Sequence, residues 1–200
     1  MKLFFVPGVC SLSPHIALRE AGLKFELDLV DRQSKISRAG VDYKALNPKG
    51  YVPALQLDDG TVLTEGAAIV QYIADLAPEK HLAPKAGTLE RYRLTEWLVY
   101  IATEIHKGFS PLFRATDETR PALQAALGAK FDFLNKSLEG KQYLLGEQFS
   151  VADGYLFTVL TWSPRTGMDL SKWPVLNAYF ERVKARPAVQ AALAAEKAAA

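Results

Sequence analysis

The hydrophobic and polar positions of this chain follow two different patterns, and the change comes near residue 80. Before it, short apolar runs or strict alternation indicate strands, and stretches with a helical period lie between them. The predicted elements are strands at 3–6, 25–29, 54–57 and 61–63 and helices at 11–21 and 64–76. Their order is β-α-β, an irregular segment, and then β-β-α.

Three stretches lack a strong apolar period. The irregular segment 31–50 is too polar for a core element, and only a short helix near 41–46 is predicted in it. The stretch 78–86 contains two prolines and is predicted to be a linker. The alanine-rich sequence after Ala191 is predicted to fray.

Every later pattern is helical, with predicted helices at 87–113, 121–138, 174–184 and 187–195 and a further one that begins near Ser150. On the long helix 87–113, Leu98, Ile101 and Ile105 form an apolar stripe. The opposite face is predicted to be largely polar, with Lys107 at its edge, and consists of Glu96, Val99, Thr103, His106 and Ser110. The pattern therefore predicts an α/β domain at 1–77, a linker at 78–86 and an all-helical domain at 87–200.

Composition narrows the class of protein. Hydrophobic residues make up 49% of the 200 residues and the formal net charge is +2, so charge alone indicates no nucleic-acid partner. The first apolar run is too short for a signal peptide, and no run reaches the roughly 18 residues of a membrane span. A single cysteine fits a reducing compartment. We expect a soluble, cytoplasmic protein.

Cys10, the only cysteine, follows the first strand at the start of the first helix. The positive end of a helix dipole favours a thiolate, so this setting predicts a lowered thiol pKa. The spacing Cys10-x-x-Ser13 is a C-x-x-C redox motif whose second cysteine is a serine, which allows a mixed disulfide but no internal one. A buried cysteine that packs as a small hydrophobic residue is the alternative.

Four motifs resemble those of the cytosolic glutathione transferases, and the resemblance to this family extends over essentially the whole chain. The segment 47–55, NPKGYVPAL, is similar to the N-P-x-G-x-V-P-x-L signature, and 63–69, LTEGAAI, resembles L-x-E-S/G-x-x-I. The segment 150–153, SVAD, looks like the capping motif of the buried helix in the second domain. The segment 104–109, EIHKGF, and the cysteine at position 10 are similar to the bacterial beta class. The resemblance implies a thioredoxin-like domain followed by a helical domain.

The resemblance also implies where glutathione binds. The Val52-Pro53 peptide bond should be cis and present its backbone to the cysteinyl part of glutathione. Glu65 and the Gly66 N–H should bind the γ-glutamyl end, with one hydrogen bond fewer than in relatives that have serine at this position. Lys35 should pair with the glycyl carboxylate. The implied glutathione-binding residues are Cys10, Lys35, Val52, Pro53, Glu65, Gly66, Glu104 and Lys107.

In the helical domain, His106 is the second implied catalytic residue after Cys10, as a hydrogen-bond or proton-transfer partner of the thiols. Val99 is a departure, because relatives often have an asparagine there that reaches glutathione bound by the partner subunit. Valine cannot make that contact, so recognition across the subunits would rest on Glu104 or be weaker. The implied second-substrate pocket is lined by Phe109, Phe113, Trp162 and Arg165, and core packing is the alternative for these side chains.

The implied function is conjugation of glutathione to small hydrophobic electrophiles, with glutaredoxin-like thiol–disulfide exchange through Cys10. No cofactor or metal beyond the substrate glutathione is implied, and the implied assembly is a homodimer without nucleic-acid or membrane partners. Two alternatives stay open: a non-catalytic ligand-binding or partner-docking protein of the same fold, and a glutathione-dependent reductive dehalogenase. The sequence does not identify the second substrate.

Overall fold

A four-stranded mixed sheet organises the first part of the chain, in the computed structural model that describes residues 1–199. The strands are β1 (Lys2–Phe5), β2 (Glu26–Leu29), β3 (Ala54–Gln56) and β4 (Val62–Thr64). The helices are α1 (Leu12–Glu20), α2 (Tyr43–Leu46), α3 (Gly66–Leu76), α4 (Leu89–Tyr100), α5 (Lys107–Leu112), α6 (Arg120–Ser137), α7 (Val151–Leu160), α8 (Ser163–Thr166), α9 (Pro174–Lys184) and α10 (Pro187–Ala199). A π-helical segment, Ile101–His106, joins α4 to α5, and short 3₁₀ turns lie at Pro78–Lys80 and Leu170–Lys172.

The sheet has the strand order β2-β1-β3-β4, in which β1 and β2 are parallel and the other neighbours are antiparallel. Its inner strand β1 is apolar and buried after Lys2, as expected of a strand covered on both faces. The predicted α/β domain followed by an all-helical region is confirmed. The polar segment 31–50 differs from its prediction, because Tyr43 is fully buried and packs with Phe4, Val30 and Ala54 in the core.

The last helix also differs from its prediction. Residues 187–199 do not fray; they form α10, which packs against α1 and belongs to one compact unit with residues 1–83. Residues 84–186 form the second compact unit. The predicted domain boundaries followed the order of the sequence and therefore placed 187–199 in the helical domain. The sequence of an alanine-rich helix indicates little about which surface the helix covers.

The second unit is built around α7, all of whose residues are buried. The predicted capping motif at its start is confirmed: the Asp153 carboxylate accepts hydrogen bonds from the Ser150 N–H and hydroxyl, each at 2.8 Å. The Leu144 N–H and the Tyr179 hydroxyl also donate to it, at 2.8 and 2.9 Å. Burial raises the pKa of Asp153, and these hydrogen bonds offset part of that effect. Asp153 therefore ties the start of α7 to α9 and to the preceding loop.

The long helix predicted at 87–113 is continuous in path but changes its winding at Ile101–His106. A π turn contains more residues than an α turn, so it rotates the side chains that follow it relative to an unbroken α-helix. None of the helices in residues 1–199 has the length and apolar character needed to cross a bilayer.

Candidate active site

The loop that carries Cys10 is closed by the Ser11 side chain, which hydrogen-bonds to the backbone of Val6. The Ser11 hydroxyl accepts a hydrogen bond from the Val6 N–H at 3.1 Å and donates one to the Val6 carbonyl at 3.0 Å. Helix α1 begins at Leu12, so Cys10 lies just before the first turn rather than within it. The Leu12 N–H already donates to the Val9 carbonyl at 3.1 Å. The lowered thiol pKa stays a prediction.

A buried carboxylate on α10 holds the middle of this loop. Glu196, whose side chain is 5% exposed, accepts a hydrogen bond from the Gly8 N–H at 2.9 Å. Its other oxygen lies 3.2 Å from Nδ1 of the fully buried His15 on α1. The Arg19 Nε–H donates to Nε2 of the same imidazole at 2.8 Å. One glutamate thus connects the last helix, the first helix and the cysteine loop.

The Cys10 thiol faces the predicted cis peptide. The Val52-Pro53 bond is cis, as predicted, and Cys10 Sγ lies 3.3 Å from the Val52 carbonyl oxygen. The preceding carbonyl, that of Tyr51, accepts hydrogen bonds from the Tyr43 hydroxyl at 2.7 Å and from the Asn47 side-chain amide at 2.9 Å. Because Tyr43 and Asn47 are both buried, they fix the peptide that presents Val52 to the thiol.

Glu65 is the N-cap residue of α3. Its φ is +69°, a backbone conformation that residues other than glycine rarely adopt. Such backbone conformations cost of order 1–3 kcal/mol and are often found at ligand clamps. The Glu65 carbonyl accepts from the Ala68 and Ile69 N–H groups, both at 3.0 Å. Its carboxylate pairs with the Lys49 ammonium, but an exposed ion pair contributes only about 0–1 kcal/mol. The ion pair therefore does not by itself offset the backbone cost.

Lys35 also has a positive φ, of +59°, and is partly buried. Its N–H donates to the Asp31 carbonyl at 3.1 Å, and its carbonyl accepts from the Tyr43 N–H at 2.9 Å. Hydrogen bonds from Ser34 and Gln33 to the Asp31 carboxylate close this turn and lower the pKa of Asp31. Lys35 thus extends from an ordered turn, although nothing in these contacts assigns its ligand.

In the second unit, His106 does not lie on the solvated face that the α-helical period predicts. His106 is the last residue of the π segment; its Nδ1 lies 2.8 Å from the Tyr155 hydroxyl, and its ring makes an edge contact with Trp162 at a centroid distance of 4.9 Å. The other members of the predicted face, Glu96, Val99, Thr103 and Ser110, are exposed. Burial, and secondarily the charge of Lys107, lowers the pKa of His106 to about 4. The imidazole is therefore neutral near pH 7.

This lowered pKa predicts a pH dependence of stability. An unfolded histidine binds its proton near pH 6.5, so between about pH 4 and 6.5 the unfolded state binds more protons than the folded state. We expect the free energy of unfolding to fall as the pH drops through this window and this contribution to be fully present above it. Urea unfolding at pH 5 and pH 7.5 should show that His106→Gln has a smaller pH dependence than the wild type. His81→Asn, at an exposed histidine, is the control; equal slopes in wild type and the His106 variant would contradict the assignment.

Glu104 and Lys107 are the other residues of the helical unit that are predicted to bind glutathione. The Glu104 carboxylate pairs with Lys130 at 2.7 Å, and the same ammonium donates to the Glu104 carbonyl at 3.1 Å. Lys107 and Val99 are exposed. A glutathione contact through Glu104 would thus compete with Lys130.

The predicted second-substrate residues form one aromatic cluster within this unit. The Trp162 ring contacts both Phe109 and Phe113, at centroid distances of 5.8 and 5.7 Å, and the Arg165 guanidinium lies 5.5 Å from the Phe113 ring centre. Phe109 is fully buried and Trp162 nearly so, whereas Phe113 is 43% exposed and Arg165 is exposed. Core packing accounts for Phe109 and Trp162, and only Phe113 and Arg165 are accessible to a substrate.

Sequence reasoning missed two charged residues near the first-unit site. Glu196 follows Val189 and Ala192 at helical spacing, so its place on the apolar stripe of α10 was a usable signal. Lys49 was noted only as a variable position of the 47–55 motif, and no local pattern indicates its pairing with Glu65.

Comparisons with known proteins identify the family of this chain. The family model "Glutathione S-transferase, N-terminal domain" matches residues 9–76, and "Glutathione S-transferase, C-terminal domain" matches residues 100–187. Glutathione S-transferase GstA of Escherichia coli O157:H7 is 48% identical over 198 residues, with 98% of each chain covered. Glutathione S-transferase GST-4.5 of Xanthomonas campestris is 38% identical, again with 98% of each covered.

Solved structures extend the likeness. The chain is 56% identical to BphK, described as a bacterial GST in a ternary complex, with a TM-score of 0.95 and 98% and 100% of the two chains covered. A sphingomonad glutathione S-transferase complexed with glutathione has 47% identity, a TM-score of 0.94 and coverage of 98% and 99%. A beta-class enzyme from Sphingomonas chungbukensis has 48% identity, a TM-score of 0.93 and coverage of 98% of each. The chain therefore belongs to the glutathione transferase family, in its bacterial beta class.

Proposed function

We propose that the protein is an enzyme that transfers glutathione to small hydrophobic electrophiles. The observation that carries this proposal is the Cys10 thiol held 3.3 Å from the Val52 carbonyl beside a cis proline, in a chain whose relatives are glutathione transferases over their full length. In this reaction the glutathione sulfur forms a bond to the electrophilic carbon. The leaving group departs with its electron pair, and the thiol proton passes to a base or to water.

Glutathione would bind in an extended form along the first unit. We propose that the Val52 backbone pairs with its cysteinyl part, that Glu65 and the Gly66 N–H bind the γ-glutamyl end, and that Lys35 binds the glycyl carboxylate. Pro53, which directly precedes β3, forms the cis bond with Val52. Among the helical-unit residues, His106 is proposed as a neutral hydrogen-bond partner for a thiol, and Glu104 and Lys107 as further glutathione contacts.

The Lys35 assignment has a direct test. We expect Lys35→Ala to weaken glutathione binding by about 1–3 kcal/mol, the usual cost of losing a charge-assisted hydrogen bond. Calorimetric titration of glutathione into both proteins measures this, with Lys44→Ala, at an exposed lysine of the same segment, as the control. Unchanged affinity in the Lys35 variant, with binding retained in the control, would contradict the assignment.

The experiment for the function itself is a rate measurement with glutathione and an activated aryl halide, followed by the appearance of the thioether. Saturable turnover supports conjugation. Binding of glutathione without turnover over a panel of electrophiles would favour the non-catalytic alternative, and release of halide with formation of oxidised glutathione would favour reductive dehalogenation.

A second activity is favoured by Cys10, the only thiol of the chain, which is partly exposed. We propose that Cys10 also carries out thiol–disulfide exchange. Its thiolate would attack a glutathionyl disulfide and form a Cys10–glutathione disulfide with release of the other thiol. A second glutathione would then regenerate Cys10 and leave as oxidised glutathione. A hydrogen bond from the thiol to the Val52 carbonyl favours the protonated form, so the thiolate would form as glutathione takes over that carbonyl.

We further propose that the protein acts in the cytoplasm as a homodimer. Family membership supports both statements, and light scattering at micromolar concentration tests the second. A monomer mass with full activity would overturn the dimer proposal.

A further inference from the structure

Lys49 is held in a defined position although its side chain is half exposed. It lies in the turn 47–50, where the Gly50 N–H donates to the Asn47 carbonyl at 2.8 Å. The Lys49 N–H donates to the Asn47 side-chain oxygen at 3.2 Å. Asn47 is buried and is anchored through its amide to the Tyr51 carbonyl. The lysine therefore extends from the same buried support that fixes the Val52 peptide.

The Lys49 ammonium is directed toward the start of α3. It donates to the Thr64 hydroxyl at 2.7 Å and to the Glu65 carboxylate. Glu65 is fixed in turn by its N-cap backbone and its two carbonyl hydrogen bonds. A cation and an anion thus stand side by side on two fixed backbones, and both remain accessible, at 50% and 72% exposure.

An accessible pair of this kind matches a zwitterionic α-amino-acid group, whose ammonium and carboxylate are carried by one carbon. Such a ligand can exchange partners with the protein, because its ammonium replaces Lys49 on Glu65 and its carboxylate then accepts from the freed Lys49. Lys49 and Glu65 each have an opposite charge beside them both before and after the ligand binds, so neither side chain is left unpaired.

We infer that Lys49 is a specificity-determining residue that binds the α-carboxylate of the γ-glutamyl end while Glu65 binds its ammonium. The inference rests on the proposed function, which places glutathione in this site. The Gly66 N–H, at the first position of α3, remains the other donor.

Calorimetry with glutathione and two analogues tests the inference. One analogue has hydrogen in place of the α-carboxylate of the γ-glutamyl residue, and the other has hydrogen in place of its α-ammonium. We expect Lys49→Met, which keeps the aliphatic stem, to bind glutathione about tenfold more weakly than the wild type, as for a lost charge-assisted contact at a half-exposed site. The analogue without the carboxylate should bind the wild type and the variant equally, whereas the analogue without the ammonium should still distinguish them.

Two further variants control the comparison. Lys44→Met, at an exposed lysine of the same region, should bind glutathione like the wild type, and Lys49→Arg should recover most of the lost affinity. Equal or tighter glutathione binding by Lys49→Met would overturn the inference and make Lys49 a competitor for Glu65, with the proposed function intact. The inference would also be overturned if Lys49→Met weakened the binding of glutathione and of the analogue without the carboxylate by the same factor. Absence of glutathione binding in the wild type would overturn both proposals.

Discussion

Replacing Glu196 by alanine is expected to lower the free energy of unfolding by about 3 kcal/mol, although the residue lies near the end of an alanine-rich helix. The change removes a hydrogen bond from the Gly8 N–H and the carboxylate beside His15 Nδ1, and His15 is fully buried. A buried polar group without a partner costs its full desolvation penalty, whereas an exposed contact would cost little. Urea unfolding, followed by circular dichroism, measures the loss.

The same variant should increase the reactivity of Cys10. Without Glu196 the middle of the cysteine loop loses its anchor on α10, so we expect faster alkylation of the thiol through local opening. Lys197→Ala, at the next and exposed position, is the matched control and should match the wild type in both measurements. A Glu196 variant with wild-type stability would show that solvent or a neighbouring group replaces the carboxylate.

Replacing Cys10 by alanine should separate the two proposed activities. In conjugation the attacking sulfur belongs to glutathione and Cys10 is a neighbour, so the variant should keep measurable turnover of an activated aryl halide. In disulfide exchange Cys10 is itself the covalent partner, and the chain has no second thiol to replace it. Reduction of a mixed glutathione disulfide should therefore fall to the background rate.

Mass spectrometry provides the covalent evidence. Wild-type protein treated with oxidised glutathione should gain one glutathionyl group, and Cys10→Ala should gain none. Ser13→Ala, which keeps the thiol and removes a buried hydroxyl, is the control and should still be modified. Equal loss of both activities in Cys10→Ala would mean one shared role for the thiol, and undiminished exchange would refute the covalent mechanism.

Local chemistry was sufficient to predict much of the first unit. The strand predicted at 54–57, observed at Ala54–Gln56, and the turn after it follow from a short apolar run and the Asp-Asp-Gly sequence. The cis bond at Val52-Pro53 was implied by the family resemblance and not by local chemistry. The start of α7 was equally predictable, because the Ser150 and Asp153 spacing is a local cap. For the strand, the turn and the helix cap, the residues that determine the structure are neighbours in the sequence.

The features that were missed depend on distant partners or on a change of winding. Tyr43 is in the core because Phe4 and Val30 pack against it, although the surrounding segment is polar. His106 is only partly exposed and contacts Tyr155, and a 3.6-residue period carried through 101–106 does not describe the winding of that π-helical segment. Glu196 acquires its role from Gly8 and His15, more than 180 positions earlier in the chain.

The packing of α10 against α1 has a consequence for how the protein folds while it is being synthesised. The thioredoxin-like unit begins the chain, yet its last helix is translated after the whole of the helical unit. At about 5–20 residues per second, roughly 6–23 s separate residue 83 from residue 199. During that interval the α1 surface that α10 later covers is open to chaperones and to other nascent chains. Because Glu196 anchors the cysteine loop through the Gly8 N–H, a bulky fusion placed directly after α10 is expected to disturb that loop.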